Sequence, residues 1–189
     1  TGVQTCALPI SPIRHSATLV GNVCTASPAG DTLPPLYVLE ASVEVAGEKG
    51  RRSLPIEEFI EGPGRIGLAA GEFVTGVQIP WAEEQVSSAY FKVGRRKALA
   101  ISIASLAAQW KLQADKTIAC MKLAWGSVGP TVVRLPQVEA FLQGKPLNDE
   151  VLRRAGELVK DGVTPIDDIR ASAAYRRQLA GNLLLRLSN

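Results

Sequence analysis

Residues 17–31 read ATLVGNVCTASPAGD, and the reading of this stretch decides the fold. Thr18, Gly21 and Asn22 put a hydroxyl, a glycine and an amide within five residues. Such a turn can turn several backbone N–H groups toward an anion, and glycine lets the backbone come close to a phosphate. The Gly, Pro, Ser, Asn and Asp residues spread over 11–41 favour local turns over long regular elements. A candidate anion-binding turn therefore opens a strand-and-turn region.

Working outward, Ser42–Ala46 alternates as a half-buried strand, Gly47–Gly50 turns, and Arg51–Leu54 pairs back as a hairpin. Pro55–Ile60 is a single helical turn, and Glu72–Pro80 is a strand closed by proline. Beyond Trp81 the character changes. Ser88–Val93 reads as a strand, and Ala98–Leu112 is an apolar run long enough for a buried helix. Ile118–Gly126 alternates as an antiparallel strand, Gly129-Pro130 breaks it, and Val132–Leu135 extends or pairs with it. Helices are expected over 137–143, 149–160 and 168–187, with Asn148 or Asp149 and then Asp167 as N-caps. The fold class is α+β, with the boundary between its two parts near residues 81–88.

Composition removes whole classes of function. The 189 residues are 46% hydrophobic and 21% charged with a net charge of +3, an ordinary balance for a folded chain. No run reaches the length of a membrane-spanning helix, so no membrane insertion is expected. One histidine and three cysteines are too few for a dedicated metal cluster or most triad chemistry. Cys24 and Cys120 lie far apart without a C-x-x-C spacing, and read as reduced, mostly buried thiols of a cytoplasmic protein. Trp81, Trp110 and Trp125 fall on three different elements and suit core or subunit-interface packing.

Other motifs dissolve on inspection. Gly62–Gly67 matches G-x-G-x-x-G, yet no strand precedes it, no long helix follows, and Pro63 stiffens it; it is a loop. The run Arg95-Arg96-Lys97 has no aromatic interleaving, and residues 150–189 hold seven basic against five acidic residues. Neither is a footprint for nucleic acid. Asp167-Asp168 reads as helix-capping carboxylates.

Several segments in the same order carry a resemblance. Ala17–Asp31 resembles the second flavin-binding segment of the molybdenum hydroxylases. Glu61–Gly64, Gly71–Val74 with Ile79-Pro80, Phe91–Arg96 and Asp167–Arg177 follow that family's pattern in turn. The chain is thereby identified as a member of the FAD-binding medium subunits of the xanthine dehydrogenase and aerobic carbon monoxide dehydrogenase type. The resemblance implies a partial FAD domain over 11–82 and a CO dehydrogenase flavoprotein-like C-terminal domain over 83–189. It also implies partners: a molybdopterin-binding large subunit and a [2Fe–2S] small subunit. Electrons would pass from the clusters through FAD to NAD, a quinone or oxygen. The other reading left open is an assembly fragment that docks partners without holding flavin.

Site residues follow from the same resemblance. Thr18, Gly21 and Asn22 would contact the diphosphate or ribityl region of FAD, with Cys24 and Thr25 alongside. Asp31 would accept hydrogen bonds from the flavin or ribityl chain, Val74 would give an apolar contact, and Lys92 a cation beside the ring. Where the family has paired glycines this chain has Val20-Gly21, so a left-handed backbone or a closely approaching phosphate at Val20 would cost flavin affinity. Thr1–Ile10 resembles a translated sequencing adapter, making Cys6 foreign and the chain an N-terminally truncated one. On that view residues 11–189 alone bind FAD poorly.

Overall fold

The computed structural model describes residues 15–81, 86–96 and 100–188. The adapter-like stretch, including Cys6, lies outside them. Two short helices come first: α1 (Leu19–Thr25) and α2 (Leu33–Val38). The turn expected at 18–22 is thus a helix start. Thr18 is the N-cap, and its hydroxyl accepts the Gly21 N–H at 2.9 Å. Ala26 ends the helix in a left-handed conformation.

Strands β1 (Ser42–Gly47) and β2 (Gly50–Pro55) form the expected hairpin, and α3 (Ile56–Phe59) is the expected single turn after Pro55. The glycine-rich 62–67 segment is a tight hairpin between β3 (Ile60–Gly62) and β4 (Arg65–Ile66), turning at a left-handed Gly64. β5 (Phe73–Gln78) pairs antiparallel with β1, giving a sheet of order β2-β1-β5.

The second sheet is the centre of the molecule. β6 (Ser87–Val93), β7 (Ala104–Leu112) and β8 (Ile118–Gly126) pair antiparallel in chain order. β7 occupies most of the run expected as a helix; residues 98–99 of that run lie outside the described ones. Its middle position explains the misreading. Leu106 and Ala108 face the helices while Ala107 packs with the first part of the chain, so both faces are apolar and the period-two signal vanishes.

Helices α4 (Pro136–Leu142), α5 (Asp149–Gly162) and α6 (Ala173–Leu183), with a closing 3₁₀ turn at Leu184–Ser188, cover one face. Asn148 caps α5 through its side chain, as expected. The cap of α6 is Ser172, five residues after Asp167, although Asp167 still accepts the Ala173 N–H at 2.7 Å. α5 and α6 cross glycine on glycine: a Cβ on Gly181 would lie 2.6 Å from the Gly156 carbonyl oxygen. Trp125 is fully buried in this core and donates its Nε1–H to the Ala180 carbonyl at 3.1 Å.

The other face of the sheet receives the first part of the chain. Tyr90, Ala107 and Ala124 lie opposite one another there and join the core of α1, α2 and β1. One expectation is corrected: Cys120 is exposed, not buried. Trp81 is almost wholly exposed, which removes core packing and leaves the subunit-interface part of its expectation. Both sit beyond the apolar faces that the two sheets enclose. Among the described residues no helix is long and apolar enough to cross a membrane, and no cluster could hold a metal ion.

Candidate functional site

The candidate site forms where α1, the loop to α2, and strand β6 converge. Gly21 is glycine for a steric reason. A Cβ there would lie 2.9 Å from Thr18 Oγ1, the atom that caps the helix. One turn on, Thr25 donates its hydroxyl to the Gly21 carbonyl at 2.8 Å. Asn22 Oδ1 accepts the Thr32 hydroxyl at 2.6 Å, tying α1 to the residue beside Asp31. Cys24 is half-buried, and burial pushes its thiol pKa up, so it stays a neutral thiol. Val74 lies on β5 opposite Val45 and packs, with Cys24 and Tyr90, on the same apolar cluster.

The decisive pairing spans 61 residues. Lys92 Nζ lies 2.5 Å from Asp31 Oδ2, and the Tyr90 hydroxyl donates to Asp31 Oδ1 at 3.3 Å. Strand geometry makes this arrangement, since residues two apart on β6 share a face. Opposite Lys92 come Ser105 and then Gly126. A Cβ at Gly126 would meet Ser105 Oγ at 2.5 Å and Pro34 Cγ at 2.9 Å, so this row is where α2 touches the sheet. Ser127 donates its N–H to the Pro28 carbonyl at 2.9 Å, and Gly64 to the Ala26 carbonyl at 3.1 Å. The loop carrying Asp31 is therefore anchored on both sides.

Seven of the eight residues expected at the site lie on these converging elements, and Val74 lies on β5 against the same apolar cluster. Asp31 and Lys92 are in direct contact; Thr18, Gly21 and Thr25 are linked to each other, and Asn22 to Thr32. Val20 sits within α1 with no left-handed backbone, so valine carries no conformational penalty there, and a close phosphate is the ground that remains for a cost in affinity. Tyr90 was missed by sequence reasoning, though its place two residues before Lys92 was a usable signal. Tyr90 and Lys92 also line an open cavity of about 690 Å³ between β6 and the end of α6, shared with Arg95, Arg96, Asn182 and Arg186. A carboxylate, an ammonium and a phenol on one face, beside a cation-lined cavity, match the needs of an anionic cofactor with a hydrogen-bonding ring system. FAD fits this donor set.

The family models agree with that chemistry. Residues 8–82 match the FAD binding domain in molybdopterin dehydrogenase, and residues 89–189 match the CO dehydrogenase flavoprotein C-terminal domain. The chain belongs to the FAD-binding subunits of the molybdenum hydroxylases. It is 33% identical over 168 residues to the xanthine dehydrogenase FAD-binding subunit of Escherichia coli O157:H7, covering 88% of this chain and 57% of that protein. It is 32% identical over 174 residues to the glyceraldehyde dehydrogenase medium chain of Sulfolobus acidocaldarius, covering 92% and 61%. Among solved structures, the reconstituted CO dehydrogenase from Oligotropha carboxidovorans matches with a TM-score of 0.89 at 25% identity, covering 97% of this chain and 64% of that one. The chain thus spans about 57–61% of the length of these two relatives. As a family member it carries part of an FAD binding domain, and the relatives named here are subunits of dehydrogenases.

Proposed function

We propose that this chain forms the electron-transfer face of a molybdenum hydroxylase flavin subunit, taking electrons from [2Fe–2S] clusters and passing them to NAD, a quinone or oxygen. The observation that carries the reading is the Asp31–Lys92 contact, which joins the FAD-binding segment to the C-terminal sheet. The partners are a molybdopterin-binding large subunit and a [2Fe–2S] small subunit. The two parts divide at residues 11–82 and 83–189. Free thiols at Cys24 and Cys120 suit a cytoplasmic setting.

Bound FAD supplies the chemistry of accepting electrons singly and releasing them in pairs. The residues of this chain hold and tune it. Thr18 and Gly21 shape the start of α1, whose free backbone N–H groups would meet the diphosphate or ribityl region, with Asn22 beside them. Cys24, Thr25 and Val74 would line the cofactor without reacting. Asp31 would accept hydrogen bonds from the cofactor, and Lys92 would place a positive charge where negative charge gathers on reduction. Tyr90 fixes the Asp31 carboxylate and so helps to set its direction.

The test is a complex of the flavin subunit with its cognate [2Fe–2S] subunit, loaded with FAD. On reduction of the clusters, the flavin absorbance band is expected to bleach. Clusters that reduce while the flavin stays oxidised would overturn the electron route.

A further inference from the structure

Tyr90 reaches the ion pair because of what stands beside it on the sheet. Its partner on β7 is Ala107, and Ala107 faces Ala124 on β8. Both alanines are buried. The row of Lys92 is equally small, with Ser105 and then Gly126. Neither row carries a bulky side chain on β7 or β8 that would push the phenol or the ammonium aside. Both polar tips therefore meet at the loop that carries Asp31.

The carboxylate of Asp31 is shared between them. Oδ2 goes to Lys92 Nζ at 2.5 Å, and Oδ1 accepts the Tyr90 hydroxyl at 3.3 Å. The second bond is long for an O–H···O contact, so it is the weaker of the two. Its consequence is electrostatic. A donor on Oδ1 draws negative charge away from Oδ2, and it keeps the carboxylate from turning both oxygens onto the ammonium. With both oxygens on Nζ, the lysine charge would be largely cancelled for any other group at the site. Tyr90 thus leaves part of that charge to act on a ligand. Water screens the remainder weakly, because the Lys92 side chain is mostly buried. Tyr90 and Lys92 border the same cavity, so a ligand held there meets the two together.

We propose that Tyr90 is a positioning residue that sets how much of the Lys92 charge the flavin feels. By holding Asp31 Oδ1 it keeps the ammonium incompletely neutralised, and so favours the reduced, more negative form of FAD over the oxidised form. The proposal rests on the flavin reading above. The phenol carries neither electron nor proton; its part is to fix where the carboxylate points. A role in packing alone would change affinity for both forms of FAD alike and leave their ratio unmoved.

The test compares Kd for oxidised FAD with Kd for dithionite-reduced FAD under anaerobic conditions. It uses the full chain, Tyr90→Phe, Asp31→Asn and the double variant. Tyr90→Phe keeps the ring and removes the donor. It is expected to weaken reduced FAD about threefold more than oxidised FAD, which lowers the two-electron potential by about 15 mV, at about 30 mV for each tenfold. With Asp31→Asn in place, the same substitution removes a bond to a neutral amide, and the ratio is expected to stay where it is. Leu158→Ser, on α5 across the sheet, serves as a folded control with both affinities unchanged. Equal losses for the two forms in Tyr90→Phe, or a ratio that moves as far in the Asp31→Asn background, overturn the proposal and leave the flavin reading intact. Absence of saturable FAD binding by the unaltered chain overturns both.

Discussion

Replacing Asp31 by Asn and Lys92 by Met, singly and together, measures how firmly the two parts of the chain are joined at the site. Lys92 Nζ sits 2.5 Å from Asp31 Oδ2, with the lysine side chain 16% and the aspartate side chain 32% exposed. Two unit charges with centres about 4 Å apart attract by about 4 kcal/mol at an effective dielectric of about 20. Desolvation and the water that reaches Asp31 offset much of this, leaving a net coupling of about 1–2 kcal/mol. Asp31→Asn keeps an acceptor for the Tyr90 hydroxyl, so that bond survives and the cycle isolates the charge pair. Urea unfolding of the four proteins at neutral pH gives the coupling directly. A coupling below about 0.3 kcal/mol, within the usual error of additivity, would refute the reasoning. Such a result would reduce the pair to a surface contact.

Three further outcomes are expected. Gly181→Ala gains about 1 kcal/mol of helix propensity but drives a methyl into the Gly156 carbonyl 2.6 Å away, so a net loss of about 1–2 kcal/mol should appear in thermal melts. Val20→Gly should weaken α1 by about 0.5–1 kcal/mol and leave FAD affinity no better, because the helical backbone there asks nothing of glycine; tighter flavin binding on titration would mark a closely approaching phosphate instead. Partial burial alone would raise the Asp168 pKa, but hydrogen bonds from Arg170, Arg176 and Ala171 hold it well below the usual carboxylate range. Its contribution to stability is therefore full above the unfolded value of about 3.9 and is lost as pH falls below that toward the folded value. Glu72, held at about 2 chiefly by hydrogen bonds from Arg52 and the Ala69 N–H, acts in the same direction. Urea midpoints at falling pH should drop steeply for the unaltered chain and less steeply for Asp168→Asn.

Much of the architecture was legible because its signals are local. Alternation located β1 and β8, the strand-like runs before Pro80 and Gly94 located β5 and β6 to within a residue or two, and Asn148, one of two expected caps, starts α5. β7 was misread because a central strand covered on both faces loses its alternation, and a long apolar run then mimics a buried helix. The start of α1 read as a turn because Thr, Gly and Asn favour turns and caps alike. The α6 boundary moved because Asp168 bonds into its own loop and to Arg176, leaving Ser172 to cap. At the site, the residue types were visible in the sequence, but the meeting of Asp31 with Lys92 and Tyr90 was not. It depends on the loop between α1 and α2 lying across the sheet, a contact no local pattern encodes.

The most direct measurement is an FAD titration followed by quenching of flavin fluorescence, run on the unaltered chain, Lys92→Met, Asp31→Asn and the Leu158→Ser control. The account predicts weak but saturable binding at one site, weakened about tenfold further in each of the first two variants, as expected for losing one charge-assisted contact, and unchanged in the control. Equal affinity in all four proteins, or no binding in any, would contradict it.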